Sequence, residues 1–146
     1  MKGADSAAQR ARALLDTGPL VALLNRDDRD HARCRKWFEG YRGILVSTEA
    51  VLTEATHLLG RSRLAQRAAI TFFERRAAVL VPMTLPGLQA CRTVMEKYDD
   101  VPMDFADASL VVLGDELAIR DIATLDRRGF GAYRSSRGRA FRLLPG

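Results

Sequence analysis

Short apolar runs alternate with amphipathic stretches along the whole chain. Residues 12–16 (RALLD) read as a strand ending in Asp16. Thr17-Gly18-Pro19 breaks it, and Pro19 suits the first turn of a helix running to about Asn25. Residues 26–29 (RDDR) form a polar connection. Residues 30–41 carry Ala32, Trp37, Phe38 and Tyr41 among charges, the pattern of an amphipathic helix that Gly43 ends. Ile44-Leu45-Val46 reads as a buried strand. Ser47 or Thr48 then caps a helix through Val51, Leu52, Ala55, Leu58 and Leu59, with Glu49 in its first turn, where the dipole favours an anion. A further helix covers about 62–76. Residues 78–81 (AVLV) form a strand stopped by Pro82, and 85–98 a helix. After Pro102, residues 104–117 read as a mostly buried helix. Residues 121–125 (DIATL) predict a strand ending before Asp126, and 141–144 (FRLL) a last one. The stretch 131–140 (GAYRSSRGRA) is the only loop-like run of any length.

Strands alternate with helices five times. That pattern predicts an α/β fold with a mainly parallel central sheet of about five strands, covered on both faces. There is no internal repeat and no linker. Residues 1–11 read as a polar N-terminal tail without the apolar core of a signal peptide, and 12–146 as one domain.

Composition narrows the classes. At 146 residues the chain is long enough to bury a sizeable core without disulfides or a structural metal. Hydrophobic residues make up 47 % and charged residues 28 %, which disfavours disorder and coiled coil. No run approaches the length of a membrane span. Cys34 and Cys91 lack CxxC or Cys/His neighbours, and His31 and His57 lie far from them, so a Cys/His zinc site is excluded. Free thiols fit a reducing cytoplasm. Twenty-three basic residues against 18 acidic give +5, and seven arginines fall between Arg120 and Arg142. Guanidinium forks bind phosphate, so a polyanionic partner is expected, although an Arg-rich composition gives the same excess.

The acids change the picture more than the bases. In an open parallel sheet, sites form beyond the carboxyl ends of the strands. Asp16 comes directly after the first apolar run, and Asp126 directly after Thr124-Leu125. Asp104 and Asp107 open a helix three residues apart and share a face. Glu54 lies mid-helix within VLTEATHLL. Each has a plain structural role available: Asp16 and Asp126 as caps of the next element along the chain, Asp104 as an N-cap, Asp107 as a first-turn acid, Glu54 as a solvated side chain. Together they end two strands and enter helices that can sit against those ends. Carboxylates crowded into one cleft cannot all stay ionised unless a cation lies between them. No Lys lies beside any of them in sequence, and Arg127 and Arg128 are the nearest bases. All-oxygen ligands select Mg²⁺ or Mn²⁺ over zinc, and such ions activate water against phosphodiesters. An acidic, metal-filled hollow in a basic surface has the electrostatics of a nuclease.

These residues resemble a known family. ALLDTGPLVALLNRDDRDH, then VLTEATHLL, VPMDFADASLVVLGDELAI and IATLDRRGF are similar to the PIN-domain ribonucleases, above all to VapC-type toxins of bacterial toxin–antitoxin pairs. The resemblance covers about residues 13–145, and its four motifs occur in order. It implies a three-layer PIN-like domain, Mg²⁺- or Mn²⁺-dependent endonuclease cleavage of RNA, and a cognate antitoxin. By position, Asp16, Glu54, Asp107 and Asp126 match the family's four catalytic and metal-binding acids. Asp104 takes a supporting place, as do the hydroxyls of Thr17 and Thr124, which can orient water or a carboxylate. Glu49 competes with Glu54, but already has a capping role.

Other readings remain. Asp16-Thr17-Gly18 matches the D-T-G of aspartic proteases, but those are all-β and a helix comes next here. Phosphoacceptor folds want a late Lys, and none occurs after Lys97. A non-catalytic α/β RNA-binding or partner-binding module is the main alternative. Trp37, Phe38, Tyr41 and the apolar positions of the 62–76 helix exceed the evident needs of a small core. They predict a homodimer or antitoxin surface.

Overall fold

The computed structural model describes residues 10–146; the tail expected over 1–11 lies, apart from Arg10 and Ala11, outside the described residues. Five strands form one sheet: β1 (Arg12–Leu15), β2 (Ile44–Thr48), β3 (Val79–Val81), β4 (Asp121–Ala123) and β5 (Arg142–Leu144). Their order is β3-β2-β1-β4-β5, and every pairing is parallel. β1 lies at the centre, and Ala13, Leu14 and Leu15 are wholly buried, as expected of a strand covered on both faces.

Seven helices connect the strands. They are α1 (Thr17–Leu24), α2 (His31–Gly40), α3 (Glu49–Leu58), α4 (Arg63–Glu74), α5 (Leu85–Lys97), α6 (Phe105–Leu117) and α7 (Arg127–Ala132). Crossovers from β1 to β2 to β3 run one way across the sheet, and those to β4 and β5 run the other way. Accordingly α1 packs with α2, α3 and α4, while α5 packs with α6. The order turns at β1, with β2 on one side and β4 on the other, so β1 and β4 flank the switch point where α/β sheets open a crevice.

Element ends differ from the sequence reading in instructive ways. α1 begins at Thr17, two residues before Pro19, because Asp16 caps it by accepting from Thr17 N at 2.8 Å. Thr48, not Ser47, caps α3; Ser47 instead donates to Leu15 O at 2.7 Å and ties β2 to β1. β4 stops at Ala123, short of the expected Leu125; Thr124 N still donates to Leu144 O at 2.9 Å, while its hydroxyl bonds Asp16 and Asp126. The sequence reading has no helix over 127–132. Gly129 and Gly131 lower its intrinsic propensity, and the Asp126 cap, accepting from Gly129 N at 2.9 Å, forms it nonetheless.

α6 is the most deeply set helix, with Ala106 and Ala108 through Gly114 buried. At Gly114 a Cβ would come within 3.2 Å of Leu14 Cδ1 and 3.0 Å of Ile119 O, so a side chain there would push the helix off the central strand. Thr48 Oγ1 and Ser109 Oγ, 2.7 Å apart, pin α3 to α6 inside the core. Trp37, Phe38 and Tyr41 are half-buried against the core: Trp37 stacks on Tyr41 at 4.8 Å, and Phe38 meets Phe72 at 5.6 Å. All three pack against the core and keep part of their surface exposed. Leu64 and Ile70 of α4 do face solvent, Leu64 at 75 % exposure. Cys34 and Cys91 are buried free thiols. No helix among the described residues is long and apolar enough to cross a membrane.

Candidate active site

All five acids singled out by the sequence lie at the carboxyl end of the sheet. Asp16 leaves β1 and is almost fully buried. Its backbone N donates to Ala123 O at 2.9 Å, locking the end of β1 to the end of β4. One carboxylate oxygen accepts from Thr17 N, and the other accepts from Thr124 Oγ1 at 2.8 Å. The same Thr124 oxygen accepts from Asp126 N at 2.9 Å. Thr124 thus couples the orientation of Asp16 to the start of α7.

Asp104 and Asp107 form a reciprocal capping box on α6. Asp104 Oδ1 accepts from Asp107 N at 2.8 Å, and Asp107 Oδ2 accepts from Asp104 N at 3.2 Å. Glu54 projects from the middle of α3, half-buried, toward Asp104 and Thr17. Glu49 is engaged elsewhere: it accepts from Met83 N at 3.1 Å. An open cleft of about 780 Å³ runs past Glu54 and Asp104, walled by Ala50, Met83, Leu88 and Phe105.

The electrostatics arise from burial and crowding. Burial pushes Asp16 up from the usual carboxylate range to about 6, against the pull of the Thr124 and Thr17 bonds; Asp126 and Asp104 add repulsion. Burial likewise raises Glu54 to about 7, with Asp104 and then Asp16 repelling its charge. Asp107 also rises to about 7, through burial first and Asp104 second. None of the ion pairs among the described residues reaches any of these acids. These carboxylates feel one another, and no side-chain cation of the described residues pairs with them.

The donor set fits a hard divalent ion. Carboxylates and the hydroxyls of Thr17 and Thr124 supply oxygen only. Thr17 Oγ1 is buried beside Asp16 with no hydrogen-bond partner, so the site holds a polar atom that the fold itself leaves unsatisfied. Among the described residues, no three His, Cys, Asp or Glu side chains are already drawn together as a metal cluster. The reason is local: Asp104, Asp107 and Asp126 turn oxygens to backbone N–H groups at their helix ends. The acids share one end of the sheet without yet converging on a point.

A family model of the PIN domain matches residues 13–134. The chain belongs to the PIN-domain family. Ribonuclease VapC26 of Mycobacterium tuberculosis (strain ATCC 25618 / H37Rv) is 29 % identical over 135 residues, covering 90 % of this chain and 99 % of that protein. Among solved structures, this PIN domain is similar to Mycobacterium tuberculosis VapC20, described as a sarcin-ricin loop cleaving toxin. The TM-score is 0.77 at 20 % identity, over 82 % of this chain and 94 % of that one. A toxin–antitoxin complex from Klebsiella pneumoniae matches with a TM-score of 0.63 at 13 % identity, over 82 % and 91 % of the two chains. These structures share the five-stranded parallel α/β fold of this PIN domain.

Sequence reasoning missed two contributors to the site. Gly129 lets α7 close on its own cap: a Cβ there would overlap Asp126 Oδ2. Tyr133, at the end of α7, is fully buried beside the acids, in a stretch that reads as loop. A conspicuous signal was available only for the glycine, which falls three residues after an Asp at a strand end.

Proposed function

We propose that this PIN domain is a Mg²⁺- or Mn²⁺-dependent endoribonuclease and the toxin of a toxin–antitoxin pair. The observation that carries the reading is a set of desolvated carboxylates at the sheet's switch point, with no ion pair to a cation among the described residues, in a chain whose sequence relative is a ribonuclease. Structural neighbours named as toxins and toxin–antitoxin complexes support the biological context.

Asp16, Glu54, Asp107 and Asp126 hold the ion and carry the chemistry, with Asp104, Thr17 and Thr124 in support. A bound divalent ion supplies water activation and stabilisation of the leaving oxygen. Asp16 is the fixed point, since two hydrogen bonds and burial leave it little freedom. Thr124 holds Asp126 in register with it. Asp104 keeps Asp107 at the helix entrance. Thr17 Oγ1, buried beside Asp16 and Glu54, suits orienting a carboxylate of the site. Arg127 and Arg128, exposed on α7 next to Asp126, suit contacts to the RNA backbone.

Residues 12–146 constitute the nuclease domain, and residues 1–11 a polar tail; the protein works in the cytoplasm. The cleft beside the acids combines apolar walls with Glu49, Glu54 and Asp104, which suits a cationic, amphipathic segment of an antitoxin. Leu58, Leu64 and Ile70 are exposed apolar side chains available to a homodimer contact. Light scattering that finds only monomer at high concentration would remove the dimer.

The test is cleavage of RNA by purified protein with Mn²⁺, with EDTA, and with Asp107→Asn. The expected result is cleavage that EDTA and the substitution both abolish. RNA binding without cleavage in any divalent ion would favour the non-catalytic binding module instead.

A further inference from the structure

Tyr133 is the largest wholly buried side chain of the described residues, and its ring has a clear place. Tyr98 and Phe130 pack edge-on against it, at centroid distances of 5.2 and 5.1 Å. Its hydroxyl has none: it is buried and makes no hydrogen bond. Tyr98 differs, because its hydroxyl accepts from Arg134 N at 2.8 Å. A core needing only the ring would be served by Phe, since an unpaired buried hydroxyl is costly.

The hydroxyl is aimed into the acidic site. A Cβ at Gly129 would overlap Asp126 Oδ2 and lie 3.2 Å from Tyr133 Oη, so both oxygens close on the same backbone position. Asp107 faces the hydroxyl without closing a hydrogen bond. A phenol is a hydrogen-bond donor throughout the working range. An O–H donor beside carboxylates has one obvious acceptor type.

We propose that Tyr133 is a positioning residue: its O–H donates to the Asp107 carboxylate when that carboxylate engages a divalent ion, fixing which oxygen faces the ion. The inference rests on the metal-dependent reading above. It explains why the hydroxyl is unpartnered when Asp107 Oδ2 is turned to Asp104 N in the capping box. Groups that orient a metal-binding carboxylate in this way strongly affect affinity.

The experiment is calorimetric titration of Mn²⁺ into wild type, Tyr133→Phe and Tyr98→Phe, with melting curves in EDTA. Tyr133→Phe is expected to bind Mn²⁺ about tenfold or more weaker, while its metal-free melting temperature is unchanged or higher. Tyr98→Phe, which also loses a hydroxyl, is expected to keep wild-type Mn²⁺ affinity. Equal affinity in wild type and Tyr133→Phe overturns the proposal. So does a marked loss of metal-free stability in Tyr133→Phe, which would mean the hydroxyl is already bonded within the fold. Failure of wild type to bind Mn²⁺ at all overturns the metal-dependent reading itself, a result distinct from either.

Discussion

Asp121 and Asp126 stand at opposite ends of one strand and meet opposite fates. At the start of β4, Asp121 lies in register with Arg142 of β5, which holds both of its oxygens, at 3.0 and 2.8 Å. Beyond the end of β4, Asp126 joins Asp16, Asp104, Asp107 and Glu54, and no arginine reaches any of them. Among the described residues, basic side chains are plentiful and none forms an ion pair with these acids. A fold optimised for stability alone would not leave desolvated carboxylates facing one another; a site awaiting a divalent ion would.

Asp107→Asn, at the acidic end, should have the strongest consequence. It removes one charge but keeps the capping geometry available. RNA cleavage in Mn²⁺ should fall by about a thousandfold, the equivalent of about 4 kcal/mol in the transition state. Circular dichroism should stay native. A folded variant with full activity would show that Asp107 is only a cap.

Next is the pH dependence of the metal-free protein. Acids raised in the native state favour folding when protonated, so their contribution is complete below the unfolded value, near 4. It is lost as pH climbs through about 6 for Asp16 and about 7 for Glu54 and Asp107. Asp16, being fully buried, accounts for about 3 kcal/mol of this on its own. Melting in EDTA should therefore occur at higher temperature at pH 5 than at pH 7, and Mn²⁺ should narrow the difference. A protein that melts lower at pH 5 would contradict the crowding.

Thr124→Val probes the junction between β1 and α7. It leaves an Asp16 oxygen and Asp126 N without their shared partner, at a cost of about 1–3 kcal/mol in urea unfolding. Activity should drop about tenfold, because both acids lose their register. The weakest consequence belongs to the other end of the strand. Arg142 is 71 % exposed, so Arg142→Ala should cost under about 1 kcal/mol and leave cleavage unchanged.

Much of this arrangement is legible in the sequence, for physical reasons. Buried parallel strands are continuous apolar runs, so ALL and IAT mark β1 and β4, and an acid soon after each falls at the sheet's carboxyl edge. Asp104 and Asp107 are readable as a helix entrance because the capping pattern is local. The features that stay hidden depend on long-range contact. The hydroxyl of Thr124 reaches a residue 108 positions away, so its bond to Asp16 has no local signature. α7 hides behind two glycines and is formed by its cap. Tyr133 sits in a stretch rich in Arg, Ser and Gly, which reads as loop until the aromatic cage of Tyr98 and Phe130 is seen. Trp37, Phe38 and Tyr41 look surplus in the sequence because nothing local shows that Phe38 packs against Phe72 of α4.

The decisive experiment is anomalous diffraction from crystals soaked in Mn²⁺. A peak is expected at coordination distance from the carboxylates of Asp16 and Asp107, at the junction of β1, β4 and α6, and it should disappear in Asp107→Asn. Strong peaks elsewhere on the molecule, with none at that junction, would refute a metal site built from these acids.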